Sequence, residues 1–517
     1  MLNTWKCAAA VRAARAAACA VMVAMLAACA TPVAPIAVER KLTGQEGAVV
    51  LKLITNSRTE WDPAETLSSI QLRRVVEPGA PQPPQPEILL LSRTRATTRS
   101  TAIFSGMIAP GRYTVKDAVG SSGNATYTFP IGSMLSSFEV RPGEVTLLGT
   151  VLVQPLDGSR FNVGYVPPDA ELTATFESLF PALAEQTRGR PVHSFELEPH
   201  MTRRVALAPL IKRLAPAMYG LSVTGAGDIY AGSKMGRLVW RKGGEKAWRE
   251  LDVGSWKAVE SVRPYRGGLL VGGEEGLLRY SSDEGKTWTS LASPSPGLIA
   301  AAEPLPNGKV VVLARQGSEW TAFVSSDALA GGWRKIGSFA DERSLNVPWQ
   351  GATAVATGNR VGVMMPNGEF QVVDADTEKI ERISTGQSVL SVSALPDGML
   401  VMQAVTLVRT TLVSTDGGRK WVDLDTSRFV QAITFADRKT AYAVAPIKPG
   451  MFAGEYGLMA SRDGGRTWAV SGTPPGGDPA SVREIMVDRS SGALLAFLRN
   501  GSILRSTDEG KTWARDL

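Results

Sequence analysis

Cysteine is confined to the start of this 517-residue chain: Cys7, Cys19 and Cys29 are the full complement. From residue 30 onward there is no thiol for a disulfide, a thiolate metal ligand or a nucleophile. Stability must then come from core burial, which a chain of this length can supply. Histidine is scarcer still. His193 and His200 stand seven residues apart, with no HExxH or CxxC pattern beside them, so no metal is expected. Both precede the C-terminal half, which therefore cannot assemble a Ser-His-Asp triad of its own. No Gly-x-Ser-x-Gly elbow, P-loop or dinucleotide fingerprint occurs, and no cofactor is expected. No apolar run reaches the about 20 residues that span a bilayer. A dominant charge is missing too. Taking Lys6, Arg12 and Arg15 of the N-terminal stretch from the 56 basic residues leaves 53 against 49 acidic. That balance excludes nucleic acid and leaves only weak attraction to anionic envelope surfaces.

What the chain does have is repetition. Ser-x-Asp-x-Gly-x-x-Trp occurs four times, carried by Ser281, Asp283, Gly285 and Trp288; Ser414, Asp416, Gly418 and Trp421; Ser461, Asp463, Gly465 and Trp468; and Ser506, Asp508, Gly510 and Trp513. Degenerate copies lead to Trp248, Trp333 and Ile380. The anchors at 248, 288, 333, 380, 421, 468 and 513 give steps of 40, 45, 47, 41, 47 and 45 residues. A period in the forties with a turn inside each unit is the signature of a propeller of four-stranded blades. Each box has the chemistry of a tight turn between strands: Asp accepts from nearby amides, Gly supplies a positive φ, and Trp opens the next strand and packs between blades. Apolar runs broken by Asn307-Gly308 and Asp397-Gly398 predict hairpins of inner strands. Seven anchors predict a seven-bladed β-propeller over 217–517. Its ring would close by blade-to-blade packing or by an added strand from 204–210.

The four boxes resemble the Asp-box, or BNR, repeat of sialidases, sortilin-type receptors and the photosystem II assembly-factor family. That resemblance implies that the box lies between the third and fourth strands of a blade, away from the binding face, and that its Asp is structural. It also raises a glycosidase alternative. Sialidases of this kind use three arginines, a Tyr–Glu pair, an acid/base Asp and a Phe/Tyr-Arg-Ile-Pro motif. The nearest match here is Val262-Arg263-Pro264-Tyr265, shifted in register, and neither two further arginines nor the Tyr–Glu pair can be nominated.

The N-terminal stretch has a basic start followed by the apolar run 16–28 and ends Leu26-Ala27-Ala28-Cys29. This resembles a bacterial lipobox, which implies a signal peptide over 1–28 and a lipid on Cys29. Ala30, rather than Asp, after the cysteine points to the outer membrane, on its periplasmic side. A tether is expected over 29–45. Nine short alternating segments between 49 and 165, parted by Gly, Pro and Ser, predict a β-sandwich over 46–167. Pro110-Gly111-Arg-Tyr113 and the run from Phe138 to Pro142-Gly143-Glu144 resemble small prealbumin-like sandwiches of envelope lipoproteins. The proline-rich 78–86 is expected as a solvated loop. Leu172, Phe176, Leu179 and Leu183 share one side of a helix over 169–188, bent near Pro181; with 201–214 it forms a helical connector over 168–216.

An all-β architecture therefore follows: a sandwich, a short helical connector and a propeller. The expected activity is non-catalytic binding of an envelope protein partner, as scaffold or assembly factor. The alternative is a glycan-directed enzyme or lectin. Strand placement by box register puts Trp256, Arg263, Glu274, Glu275, Arg343, Trp349, Phe452, Glu455 and Tyr456 on the candidate ligand face, the longest insertion being 446–457.

Overall fold

The computed structural model describes residues 30–517 apart from 57–65, 77–86, 95–99, 123–124, 157–159, 216, 224–226, 341–352, 366–367, 386–387, 396, 406–408, 425–429, 431 and 448–453. They divide into two compact units, one ending at Ile211 and one running from Lys212 to Leu517.

The first unit contains β1 (Ala30–Val33), β2 (Gly47–Thr55), β3 (Leu67–Arg74), β4 (Ile88–Ser92), β5 (Thr101–Ile108), β6 (Gly111–Ser122), β7 (Ala125–Phe129), β8 (Phe138–Val140), β9 (Val145–Pro155), β10 (Phe161–Val166) and β11 (Val192–His193). One sheet has the order β1-β4-β3-β6-β7 with β8 on β6; the other has β10-β9-β2-β5 with β11 on β9. A single apolar cluster draws Val49, Leu51 and Leu53 from β2 together with Ile70 and Leu72 from β3, so the core lies between the sheets.

β2 is buried along its whole length, which an alternating strand with one solvated face would not be. Its other face, Ala48 and Val50, is covered by Leu172, Phe176, Phe180 and Leu183. Leu172 and Phe176 belong to α1 (Ala170–Leu179), Leu183 to α2 (Pro181–Thr187), and Phe180 stands between the two. Asp169 caps α1, its carboxylate accepting from Leu172 N at 2.8 Å. Pro181 has no N–H to extend α1 and opens α2 instead. α3 (Pro199–Arg213) sets Met201 and Val205 on the intersheet core. The expected connector is thus packed into the first unit as far as Ile211, because the all-buried β2 needs a cover.

The expected tether over 29–45 is corrected for residues 30–45. Ala30–Val33 is β1, parallel to β4, and Ile36 and Leu42 are buried. Residues 204–210, a candidate added strand, lie in α3.

The second unit consists of seven four-stranded antiparallel sheets in chain order, spanning 217–252, 259–290, 298–340, 353–384, 388–423, 432–472 and 482–515. Each is a meander, as in a propeller; the first strands of the first five sheets touch in succession, as do those of the sixth and seventh. Apolar clusters join the first sheet to the second, the second to the third, and so on to the seventh. A further cluster joins Met486, Leu495, Phe497 and Ile503 of the seventh sheet to Ile229, Ala231 and Val239 of the first. The seven interfaces form a cycle.

Every sequence anchor packs at the interface with the preceding sheet: Trp288, Trp333, Ile380, Trp421, Trp468 and Trp513 in order. Trp248 of the first sheet packs at the interface with the seventh. Three indole N–H groups reach in this direction, whereas Trp288 and Trp468 donate to the carbonyls of their own box glycines, Gly285 at 3.0 Å and Gly465 at 2.8 Å. Trp333 donates to Ala292 O at 2.8 Å and Trp513 to Thr473 O at 3.0 Å, each in the link that leaves the preceding sheet. Trp248 donates to Asp516 Oδ2 at 2.8 Å in the seventh sheet. Arg241 completes the seam. It is 1% exposed and binds Asp488 at 2.8 Å and Asp516 at 3.1 Å, its guanidinium 5.0 Å over the Trp248 ring. Burial works to raise the Asp488 carboxyl. The Ser490 and Ser491 hydroxyls and Arg241 outweigh it and hold that carboxyl below its ordinary value.

Candidate functional site

In an antiparallel meander the turns after strands one and three share one end of the sheet. The turns after strand two and the links to the next sheet share the other. All four boxes fall between third and fourth strands. In each, the Ser hydroxyl donates to the Asp carboxylate at 2.7–2.8 Å and accepts from the box glycine amide at 2.8–2.9 Å. Asp Oδ1 accepts from the amide four residues on, at 2.9 Å in each box.

Three boxes add a bond. Thr287, Thr467 and Thr512 donate their hydroxyls to the second carboxylate oxygen at 2.6–2.7 Å. For Asp283 the Thr287 amide lowers the carboxyl most, with the Thr287 and Ser281 hydroxyls adding to it. For Asp463 and Asp508 the threonine hydroxyl comes first and its amide second. All three carboxyls are held down to about 2. Asp416, with Lys420 at the threonine position, is lowered chiefly by the Lys420 amide.

The box glycines face a second demand. Gly285, Gly418, Gly465 and Gly510 have φ of 85°, 88°, 90° and 85°, and an added Cβ would run into Leu251, Phe370, Leu424 and Leu458 of the preceding sheet or its link. Arg249 binds Glu284 at 3.0 Å, and Arg419 binds Glu381 at 2.9 Å, so the boxes also tie neighbouring sheets by charge. Each box carboxylate is thus spent chiefly on its own turn.

The opposite end carries the remaining candidates. Half-buried Trp256 lies in the link from the first sheet to the second, with Lys212 Nζ 4.8 Å over its ring. Glu274 and Glu275 form the turn after the second strand of the second sheet. Glu274 is fully buried and joins Ala258, whose carbonyl accepts from Glu274 N at 3.0 Å. Glu275 sits at φ 50°, and its carbonyl accepts from Lys257 Nζ at 3.0 Å. Glu455 is exposed in the sixth sheet, its carbonyl accepting from Ile447 N at 2.6 Å.

Two candidates lie within strands. Tyr456 begins the strand Tyr456–Ser461, paired with Pro446, and packs at the sixth–seventh interface; the apolar run after it continues the ladder back through Tyr456. Arg263 lies within the first strand of the second sheet, paired with Leu270. Its Nε donates to Glu303 Oε2 at 2.7 Å and its Nη2 lies 2.6 Å from Oε1, a two-pronged bridge to the first strand of the third sheet. Arg343, Trp349 and Phe452, like Cys29, lie outside the described residues.

Sequence reasoning missed Glu303, although a lone carboxylate in the apolar run 298–304 was a signal of a buried partner. It also missed Lys212 and Lys257, which nothing but the fold brings beside Trp256 and Glu275. Among the described residues no group of His, Cys, Asp or Glu could hold a metal ion, and no helix is long and apolar enough to cross a membrane.

No family model and no curated protein matches the chain. Similar solved structures include "YCF48 bound to D1 peptide", at 14% identity and TM-score 0.42, covering 56% of this chain and 91% of that one. "YCF48 from Cyanidioschyzon merolae" is 13% identical with TM-score 0.41, covering 56% and 95%. The Cps50 (Swd1) β-propeller domain of Myceliophteria thermophila is 14% identical with TM-score 0.39, covering 56% and 95%. The chain is similar to these β-propeller structures at a level that bears on neither ligand nor activity.

Proposed function

We propose that this chain is a lipid-anchored bacterial envelope protein whose seven-bladed Asp-box propeller binds a protein partner through the end opposite the boxes, as a scaffold or assembly factor. One observation carries the reading: the box end is spent on the ring itself. Box carboxylates, hydroxyls and glycines are all engaged in their own turns or against the preceding sheet. The opposite end offers a half-buried tryptophan beside two lysines, buried and half-buried glutamates, and the exposed Glu455, a mixture suited to protein recognition. Cys29, following Leu26-Ala27-Ala28, is the lipid-bearing residue on this reading, and the compartment is the periplasmic side of the outer membrane.

The glycan-directed alternative rests on Arg263. Its pairing with Glu303 already satisfies the guanidinium fork that a substrate carboxylate would need. Two assays separate the readings. Affinity purification of full-length protein from detergent-solubilised envelopes should yield a stoichiometric partner that is lost on deleting 451–456. Turnover of fluorogenic glycosides by wild type, abolished in Arg263→Lys, would replace the scaffold with an enzyme.

A further inference from the structure

We propose that the first unit is held flush against the leaflet that bears the Cys29 lipid, with no free tether between anchor and fold. This rests on the lipid-anchor reading above. The residue after the cysteine already belongs to a strand. Ala30–Val33 runs in parallel register with Ile88–Leu91 of β4. Val33 packs on the intersheet core, where an added Cβ on Gly106 of β5 would collide with it.

The chain is not released further on. Ile36 is buried, and its amide donates to Ser105 Oγ at 3.1 Å. Leu42 is buried, its amide donating to Gln186 Oε1 at 2.7 Å and its carbonyl accepting from Gln186 Nε2 at 2.9 Å. Arg40 closes onto Glu46 at 2.8 Å. A free segment over 30–46 would reach roughly 55 Å when extended, whereas a single peptide unit reaches about 3.8 Å. The lipid-bearing residue therefore stands one peptide unit from a strand that is itself pinned into a sheet. The groove lined by Thr31, Pro35, Arg40, Leu89 and Met107 opens beside it. The anchor thus fixes how far the first unit stands from the bilayer as well as which membrane it joins.

The test uses full-length protein, processed in cells and reconstituted into phosphatidylethanolamine/phosphatidylglycerol vesicles containing a headgroup-nitroxide lipid. Val38, 55% exposed, is changed to Cys and carries a fluorophore. The comparison is with the same protein bearing an Ala-led 20-residue Gly/Ser linker between Cys29 and Ala30, which adds about 25 Å of root-mean-square reach. The linker should relieve nitroxide quenching at least about twofold, and Val33→Asp, which unpins β1, should relieve it partly. Equal quenching with and without the linker, in protein that is lipidated and floats with the vesicles, overturns the flush placement. Protein that takes up no labelled palmitate and does not float removes the lipid-anchor reading, and this inference with it.

Discussion

At the scale of single residues, the box shows how one short motif satisfies a turn and an interface together. The Asp organises the turn by accepting from amides ahead of it, which keeps its carboxyl ionised to unusually low pH. The sign of the resulting pH dependence is fixed. Asp283, Asp463 and Asp508 have folded values of about 2 against an ordinary 3.8. Their contribution is complete above 3.8 and is lost as pH falls from there through about 2. A thermal-unfolding series on the triple variant Thr287→Val, Thr467→Val, Thr512→Val should therefore show a lower midpoint at pH 6 and a shallower decline below pH 4 than wild type. Identical acid slopes would mean that the threonine hydroxyls do not hold these carboxyls down. The box glycine is equally constrained: Gly510→Ala meets both φ 85° and Leu458 and should cost about 1–3 kcal/mol in urea unfolding. A neutral result would show that the sheets can separate at that contact. The box turn was legible in the sequence because the bonds made by its Ser, Asp and Gly span four residues or fewer. Arg263–Glu303 was not, since its partners stand forty positions apart in different sheets.

At the scale of elements, nine of the first unit's strands lie where alternation and turn residues predict them, and Pro181 divides a helix where its missing N–H requires. Two features escaped for the same physical reason. Residues 30–33, Ala-Thr-Pro-Val, carry no alternating pattern, and their partner is a parallel strand 58 residues later, a pairing that local propensity cannot announce. Similarly, a run such as Ala48–Ile54 is apolar on both faces but for Lys52, which signals burial but not what covers it. Here the cover is α1 and α2. Truncation of a covering residue, Phe176→Ala, should destabilise the first unit by about 3–5 kcal/mol, read by hydrogen exchange of the β2 amides. Unchanged β2 protection would contradict an integral role for these helices. Ile380, standing where six other sheets place Trp, still fills the interface between the third and fourth sheets, so the anchor position requires apolar volume more than an indole.

At the scale of the whole second unit, seven sheets in sequence need not make a ring; the contacts between first and last decide it. Closure here uses side chains, with each strand remaining in its own sheet. Trp248 repeats the backward reach of the other anchors, and buried Arg241 is shared by Asp488 and Asp516. Arg241→Met leaves Asp516 without its cation and Asp488 with only the more distant Arg505, at 3.7 Å, and should cost about 3–5 kcal/mol. The lost protection should concentrate in 217–252 and 482–515 in hydrogen-exchange mass spectrometry, and pairing it with Asp488→Asn should restore part of it. Loss spread evenly over all seven sheets would argue against a seam at that place. With one end committed to holding the ring, the proposed partner is expected at the other. The most direct measurement of that claim is photo-crosslinking in living cells, with a diazirine amino acid placed at Trp256 or Glu455 on one end and at Glu284 or Glu509 on the box end. A discrete protein adduct is expected from the first pair and none from the second. Adducts from the box-end positions alone would contradict it.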